Sequence, residues 1–288
     1  SIDVCKKILN ERKNNKIYVH LLRNCPIDKD RPIFDQDDPV NDKYKNKKTF
    51  IGEALLEVFS QLTEMPLLAY QTRNNGDFFH DVFAYNRYTG TQTQKTDSDL
   101  YYHNDRTAHI IRADYLVLLG MRCFEQNLIY TGYIDGLEIL KYLSQETQNI
   151  LCKKYFITPF DYYSCDSNLN QLISNKHSIL ENEHSFRYYE THTTVAEDAP
   201  IEAKDALIAI KEAIIKAHKQ RVQLKNGDLL CMPNQDGLHN REIIEVNNPQ
   251  EAKIRWLLKT YNFRDTRSLN RFANYYYENI PGLVRELD

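Results

Sequence analysis

Glycine is scarce in this chain, nine in 288 residues, and none of them forms a Gly-rich cluster. That argues against the phosphate-cradling loops of nucleotide-binding domains. No apolar run approaches the roughly 20 residues of a membrane-spanning helix. The N-terminal SIDVCKKILNERKNNK is charged and lacks the apolar stretch of a secretory signal. The six cysteines (Cys5, Cys25, Cys123, Cys152, Cys165 and Cys231) include no C-x-x-C pair. In a chain of this length such scatter points to reduced thiols in the cytoplasm rather than a disulfide framework. Charge of one sign is also missing: the formal net charge is −3. Neither nucleic acid nor an anionic membrane is an expected partner.

What is present is an ordinary globular composition, with 42% hydrophobic and 27% charged residues. No linker, internal repeat or low-complexity segment divides it, so one domain over 1–288 is expected. A short helix is expected at about 2–13, followed by irregular chain up to 48, broken by Pro26, Pro32 and Pro39. FIGEALLEVFSQLTE, residues 50–64, places Ile51, Leu55, Val58, Phe59 and Leu62 at helical spacing. ADYLVLLGMRC at 113–123 reads as a buried strand. After Gly132 the spacing of Ile134, Leu137, Leu140 and Leu143 predicts a helix, and 159–186 predicts loops. The clearest helix is expected at 200–222, with Asp198 as its N-cap and Pro200 in its first turn. NGDLLCMP, HNREIIEV and IRWLLKTYNF then read as strands. This order is not a βαβ alternation, so an α+β or mainly β fold, a jelly roll flanked by helices, is expected.

Tyr101-Tyr102-His103-Asn104-Asp105 is the candidate centre. A His-x-Asp on extended chain points both side chains to one side. Imidazole and carboxylate can then take adjacent positions on one metal ion. A second His from a distant strand would complete the 2-His-1-carboxylate face that suits Fe(II) and leaves positions open for substrates. The tripeptide alone is weak: with 9 His and 40 acidic residues, about one His-x-Asp/Glu arises by chance. Further on, His239 follows the turn region Pro233-Asn234-Gln235-Asp236-Gly237, and Arg255 lies in an apolar strand. An Arg there needs an anionic partner, because a buried unpaired charge is costly. A dicarboxylate co-substrate could be that partner, since guanidinium matches carboxylate bidentately. A structural Asp or Glu, or solvent, could serve as well.

Over roughly residues 50–265 the chain resembles the clavaminate synthase-like iron(II)/2-oxoglutarate oxygenases that act on free amino acids. The resemblance is carried by IGEALLEVFSQL, NNGDFFHDVFA, LYYHNDRTAHIIRADYLVLLGMRC, VAEDAPIEAKDALIAIKEAI, GDLLCMPNQDGLHNR and RWLLKTY, in that order. It implies a double-stranded β-helix core at about 66–265 with helical flanks on both sides. It implies His103, Asp105 and His239 as the Fe(II) ligands, and Arg255, assisted by Thr131, as the holder of 2-oxoglutarate. It places Lys259, where Arg is frequent in the family, near the carboxylate of the amino-acid substrate. A carboxylate at Asp105 fills the site that related halogenases open to chloride, so hydroxylation is implied. The implied partners are O2 and a free basic amino acid, L-lysine first, with arginine and asparagine as alternatives. Asp77, Asp81, Glu190 and Asp198 are the candidate carboxylates for an ammonium side chain, each with a plainer use as turn, cap or surface charge. A jelly-roll binding protein without turnover and a zinc hydrolase using the same ligands are the rivals from other classes. The sequence leaves self-association open.

Overall fold

Residues 2–14, 19–93, 95–167 and 172–286 are described by a computed structural model of the chain. The first part carries α1 (Ile2–Lys13), β1 (His20–Leu22), α2 (Pro39–Asn46), α3 (Ile51–Leu62), β2 (Leu67–Tyr70), β3 (His80–Val82) and β4 (Leu100–His103). The middle carries β5 (Tyr115–Arg122), β6 (Leu128–Asp135), α4 (Gly136–Leu140), α5 (Gln145–Leu151), β7 (Phe156–Ile157), α6 (Tyr162–Ser167), β8 (Thr194–Val195) and α7 (Ile201–Lys216). The last part carries β9 (Gln220–Val222), β10 (Leu229–Pro233), β11 (Gly237–Glu245), α8 (Pro249–Lys253), β12 (Trp256–Asn262), α9 (Thr266–Arg271) and β13 (Leu283–Val284).

The larger sheet has the order β1-β10-β5-β12-β2-β13, with β3 also paired to β12, and the smaller has the order β4-β11-β6-β9. All these pairings are antiparallel except β13 with β2. Strand β5 shows how the large sheet is buried on both faces. Val117, Leu119 and Met121 point toward Leu56 and Phe59 of α3, while Leu116 and Leu118 point between the sheets, in a cluster with Met232, Leu257 and Tyr133. The period-two alternation of a strand thus supplies both interfaces, at about 1.5–3 kcal/mol for each large side chain fully buried. The outer face of the small sheet is covered in turn: Ile134 and Leu238 pack with Ile139 of α4, Leu151 of α5, and Ala203, Ala206, Ile210, Ala213 and Ile214 of α7. The result is a jelly-roll, or double-stranded β-helix, core flanked by helices.

Several expectations change in detail. Ile134 lies on β6, not on a helix, because the alternation through Leu128–Asp135 carries the strand on until Asp135 caps α4 by accepting from the Leu137 N–H. Asp198 is not the cap of α7: Pro200 is its N-cap residue, with no side-chain cap bond. The two flanks also contribute strands, β1 and β13, to the large sheet. All six cysteines are free thiols, and no helix among the described residues is long and apolar enough to cross a membrane.

Candidate metal centre and the pockets on either side

Strand β4 ends on His103, and β11 brings His239 directly opposite it as an antiparallel partner. The two imidazole centroids lie 4.3 Å apart. Asp105, just beyond β4, places Oδ1 3.4 Å from His103 Nε2 and 3.7 Å from His239 Nε2. One nitrogen or oxygen from each of the three residues falls within 4.8 Å of the others. Donors at about 2.1 Å from one ion stand about 3 Å apart when adjacent, so the three need close only slightly on a metal. The residues are there because Asn104, between His103 and Asp105, is clasped by the β10–β11 turn. Its amide donates to the Asn234 and Gly237 carbonyls, and its oxygen accepts from the Tyr188 N–H at 2.8 Å. Asn234 returns the contact by accepting from the Asp105 N–H at 2.7 Å.

Protonation suits a cation. His103 Nδ1 lies 2.7 Å from the Tyr101 carbonyl; a carbonyl only accepts, so Nδ1 carries the hydrogen and Nε2 keeps its lone pair. Burial, followed by the nearby His103, lowers His239 to about 4, so its ring is neutral at pH 7. Burial raises the Asp105 carboxyl, but Lys259 and the two imidazoles outweigh it and hold the group well below the usual carboxylate range. Lys259 donates to Asp105 Oδ2 at 2.5 Å and to the Tyr261 hydroxyl at 3.0 Å. Two imidazoles and an ionised carboxylate are the donor set that a ferrous ion takes.

On one side of the triad lies a cavity of about 60 Å³ between the sheets, lined by Leu116, Leu118, Thr131, Met232, Arg255 and Lys259 among others. Arg255, just before β12, and Leu257 and Lys259 on one face of it line this cavity together. Arg255 is 9% exposed. No acceptor or carboxylate among the described residues pairs with its guanidinium, and burial lowers its pKa. Neither the structural carboxylate nor the solvent exposure left open by the sequence accounts for it. Thr131, also buried, faces the same cavity from β6. On the other side, a cavity of about 30 Å³ shares His103 and Asp105 and adds Arg73, Arg106, Asp161, Ser164 and Tyr189. Tyr189 stacks on the His103 ring at 4.9 Å. A groove of about 690 Å³ holds none of the triad, and among its charges Arg112 pairs with Glu181 and Arg264 with Asp236.

The four carboxylates considered for an ammonium side chain are not brought to the triad. Asp81 is fully buried 2.7 Å from Lys43 Nζ and accepts from the Trp256 indole at 2.9 Å. Asp77 accepts from the Tyr44 hydroxyl and caps the turn at Phe79. Glu190 accepts from the Tyr102 N–H at 3.2 Å. Asp198 is an exposed partner of Lys176. None of them lines either cavity. Arg73, Arg106 and Asp161, which do, carried no sequence signal beyond being charged; the one available hint was Arg106 immediately after a ligand.

No family model matches the sequence, and no curated protein sequence matches it. Solved structures do. An asparagine oxygenase in complex with Fe(II), 2S,3S-3-hydroxyasparagine and succinate is 18% identical, with a TM-score of 0.82 over 100% of this chain and 86% of that one. The non-heme iron oxygenase OrfP in complex with Fe and alpha-ketoglutaric acid is 19% identical, with a TM-score of 0.75 over 98% of this chain and 85% of the other. OrfP with Fe, succinate and (3S)-hydroxy-L-Arg is also 19% identical, with a TM-score of 0.78 over 98% and 86% of the two chains. The chain therefore has the fold of these iron oxygenases along nearly its whole length.

Proposed function

We propose that the protein is an Fe(II)- and 2-oxoglutarate-dependent oxygenase that hydroxylates a C–H bond of a free amino acid. The observation that carries this reading is Arg255, a buried guanidinium with no anionic partner among the described residues, facing the same cavity as His103, Asp105 and His239. A binding protein has no use for that combination, and a zinc hydrolase has no need of the guanidinium. The likeness to oxygenases solved with iron, alpha-ketoglutaric acid, succinate and hydroxylated amino acids supports it.

His103, Asp105 and His239 would hold the iron, and Arg255 with Thr131 would receive the distal carboxylate of 2-oxoglutarate. Bound there, iron and co-substrate supply an O2-dependent oxidation coupled to loss of CO2. The chain supplies position. Lys259 holds Asp105 Oδ2, leaving Oδ1 toward the imidazoles. Leu116, Leu118 and Met232 keep the co-substrate cavity apolar apart from its few polar groups, which strengthens the Arg–carboxylate attraction. Tyr189 fixes the plane of the His103 ring. The amino acid belongs in the Arg73–Arg106–Asp161 cavity, on the face of His103 and Asp105 away from Arg255. The bond attacked is the one held nearest the metal.

Anaerobic addition of Fe(II) and then 2-oxoglutarate should produce the visible charge-transfer band of the chelate. Admission of O2 with a panel of twenty amino acids, L-lysine, arginine and asparagine among them, should give succinate and a +16 product. A chain that binds neither stoichiometric iron nor 2-oxoglutarate is not this enzyme.

A further inference from the structure

The cavity on the substrate side contains more positive charge than an ordinary amino acid can satisfy. Arg73 and Arg106 are 4% and 9% exposed. Both donate through Nη1 to the Ser164 hydroxyl, at 2.5 and 3.1 Å, so the two guanidinium groups sit side by side. Each has its guanidinium carbon over an aromatic ring, Arg73 over Tyr163 at 4.6 Å and Arg106 over Tyr70 at 4.2 Å. Arg73 Nε and Arg106 Nε and Nη2 are buried without an acceptor among the described residues. Arg106 is also held at φ 62°, in the left-handed region, one residue after Asp105. A non-glycine residue there carries strain that the surrounding contacts must maintain. Of the two carboxylates in this cavity, Asp105 is bonded to Lys259. The other, Asp161, accepts from the Ser164 N–H at 2.8 Å; it makes no direct ion pair with either arginine, but its charge is the leading favourable influence on Arg73 and also favours Arg106.

We infer that the substrate is an amino acid with an acidic side chain, bound with its two carboxylates on Arg73 and Arg106 and its ammonium toward Asp161. This rests on the oxygenase reading and narrows it. The physical reason is charge balance in a closed site. Two guanidinium groups and one carboxylate leave one positive charge, which an amino acid of net charge −1 cancels. A neutral amino acid leaves one buried guanidinium without an anion. Lysine or arginine adds a third cation where no further carboxylate among the described residues lines the cavity to receive it, and an unpaired buried charge is strongly unfavourable.

The test uses the protein loaded with Fe(II) and 2-oxoglutarate and compares L-aspartate and L-glutamate with L-asparagine, L-glutamine, L-arginine and L-lysine. The expected result is succinate and a +16 product from an acidic amino acid, with kcat/KM at least tenfold above that of its amide. Arg106→Gln should erase or reverse the acid-over-amide preference, and Arg106→Lys should keep part of it, while the charge-transfer band of the Fe(II)–2-oxoglutarate chelate stays intact in both and reports that they fold. If the band forms in the native protein but no acidic amino acid is turned over, or an amide or basic amino acid is preferred, the inference fails and the oxygenase reading stands. An unchanged acid-to-amide ratio in Arg106→Gln overturns it equally. If no band forms at all, the oxygenase reading fails and takes the inference with it.

Discussion

Replacing Arg255 by methionine should move stability and co-substrate affinity in opposite directions. Without a ligand the guanidinium is a buried cation, 9% exposed, with no anion among the described residues. Methionine keeps much of the volume against Leu257 and Thr131 and removes the desolvation cost. Exchanging buried charge for apolar side chains commonly stabilises by about 1–3 kcal/mol. In a chain of this size that is a rise in Tm of roughly 2–12 °C. With 2-oxoglutarate present the balance reverses. The distal carboxylate would then enter an apolar cavity with only Thr131 to receive it, and breaking a buried charge pair costs about 3–5 kcal/mol. At 1.4 kcal/mol per factor of ten, affinity should fall by about two to three and a half powers of ten. The assays are a thermal melt of the metal-free protein and an anaerobic titration of 2-oxoglutarate followed by the charge-transfer band. A lower Tm together with unchanged affinity would show that Arg255 serves a structural anion, and the co-substrate assignment would be lost.

Three further changes separate the metal, the fold and a buried cation. His239→Ala should reduce iron from one per chain to a small fraction, by metal analysis after gel filtration. Its Tm should change little, since Nδ1 of this ring has no bonded partner among the described residues; retained stoichiometric iron would refute its role as ligand. Asp81→Asn should cost about 3–5 kcal/mol of stability by breaking its buried pair with Lys43. The KM for the amino acid should be unaltered, and a KM effect without a stability effect would instead place Asp81 at the substrate. Lys95, fully buried against Phe83, Tyr85 and Tyr163, has its pKa lowered to about 7 by burial, with Arg73, Lys259 and Lys43 adding and Asp81 opposing. Between pH 7 and the unfolded value near 10.4 the folded chain binds fewer protons than the unfolded one. Stability from this group should therefore rise with pH across that window, at up to about 1.4 kcal/mol per pH unit, and be flat below it. Denaturant unfolding from pH 7 to 9.5 should show that slope in the native protein and a shallower one in Lys95→Met; equal slopes would mean that burial does not lower the pKa of this lysine.

The strands that build the site were legible because each carries its own pattern. The apolar run at 113–123 becomes β5, Tyr115–Arg122, and the aromatic and β-branched run after Ile254 becomes β12, Trp256–Asn262. The helices at Ile51–Leu62 and Ile201–Lys216 follow from periodic burial. The strand β6 was obscured where Ile134, Leu137 and Leu140 happen to share helical spacing across a strand–helix junction. Strands β1 and β13 are three and two residues long, too short for any period to register. Arg255 and Lys259 were visible as charges on an apolar strand. Asp81 misled for the complementary reason: a carboxylate beside aromatic residues looks like a binding group until Lys43, from a helix 38 positions earlier, is found against it.

The distance between the proposed metal ligands is set by residues outside the triad. His103 and His239 are 136 positions apart, and antiparallel pairing of β4 with β11 brings their backbones together. Pairing alone leaves Asp105 undetermined, since it lies beyond the end of β4. Two amides complete the placement. Asn104 spends its donors on the Asn234 and Gly237 carbonyls, and Asn234 accepts from the Asp105 N–H and donates to the Asp105 and Ala113 carbonyls. Both are essentially fully buried, where a lost hydrogen bond leaves a polar group unsatisfied at about 1–3 kcal/mol. The loop is thereby fixed in the one conformation that turns the carboxylate toward the imidazoles. Arg106, in its left-handed conformation, lines the second cavity directly after this clasp, so the backbone that places the proposed iron ligands also places a cation of the proposed substrate cavity. A coupling of this kind follows from the His-Asn-Asp-Arg segment taken together with Asn234, and it cannot be seen from the His-x-Asp spacing alone.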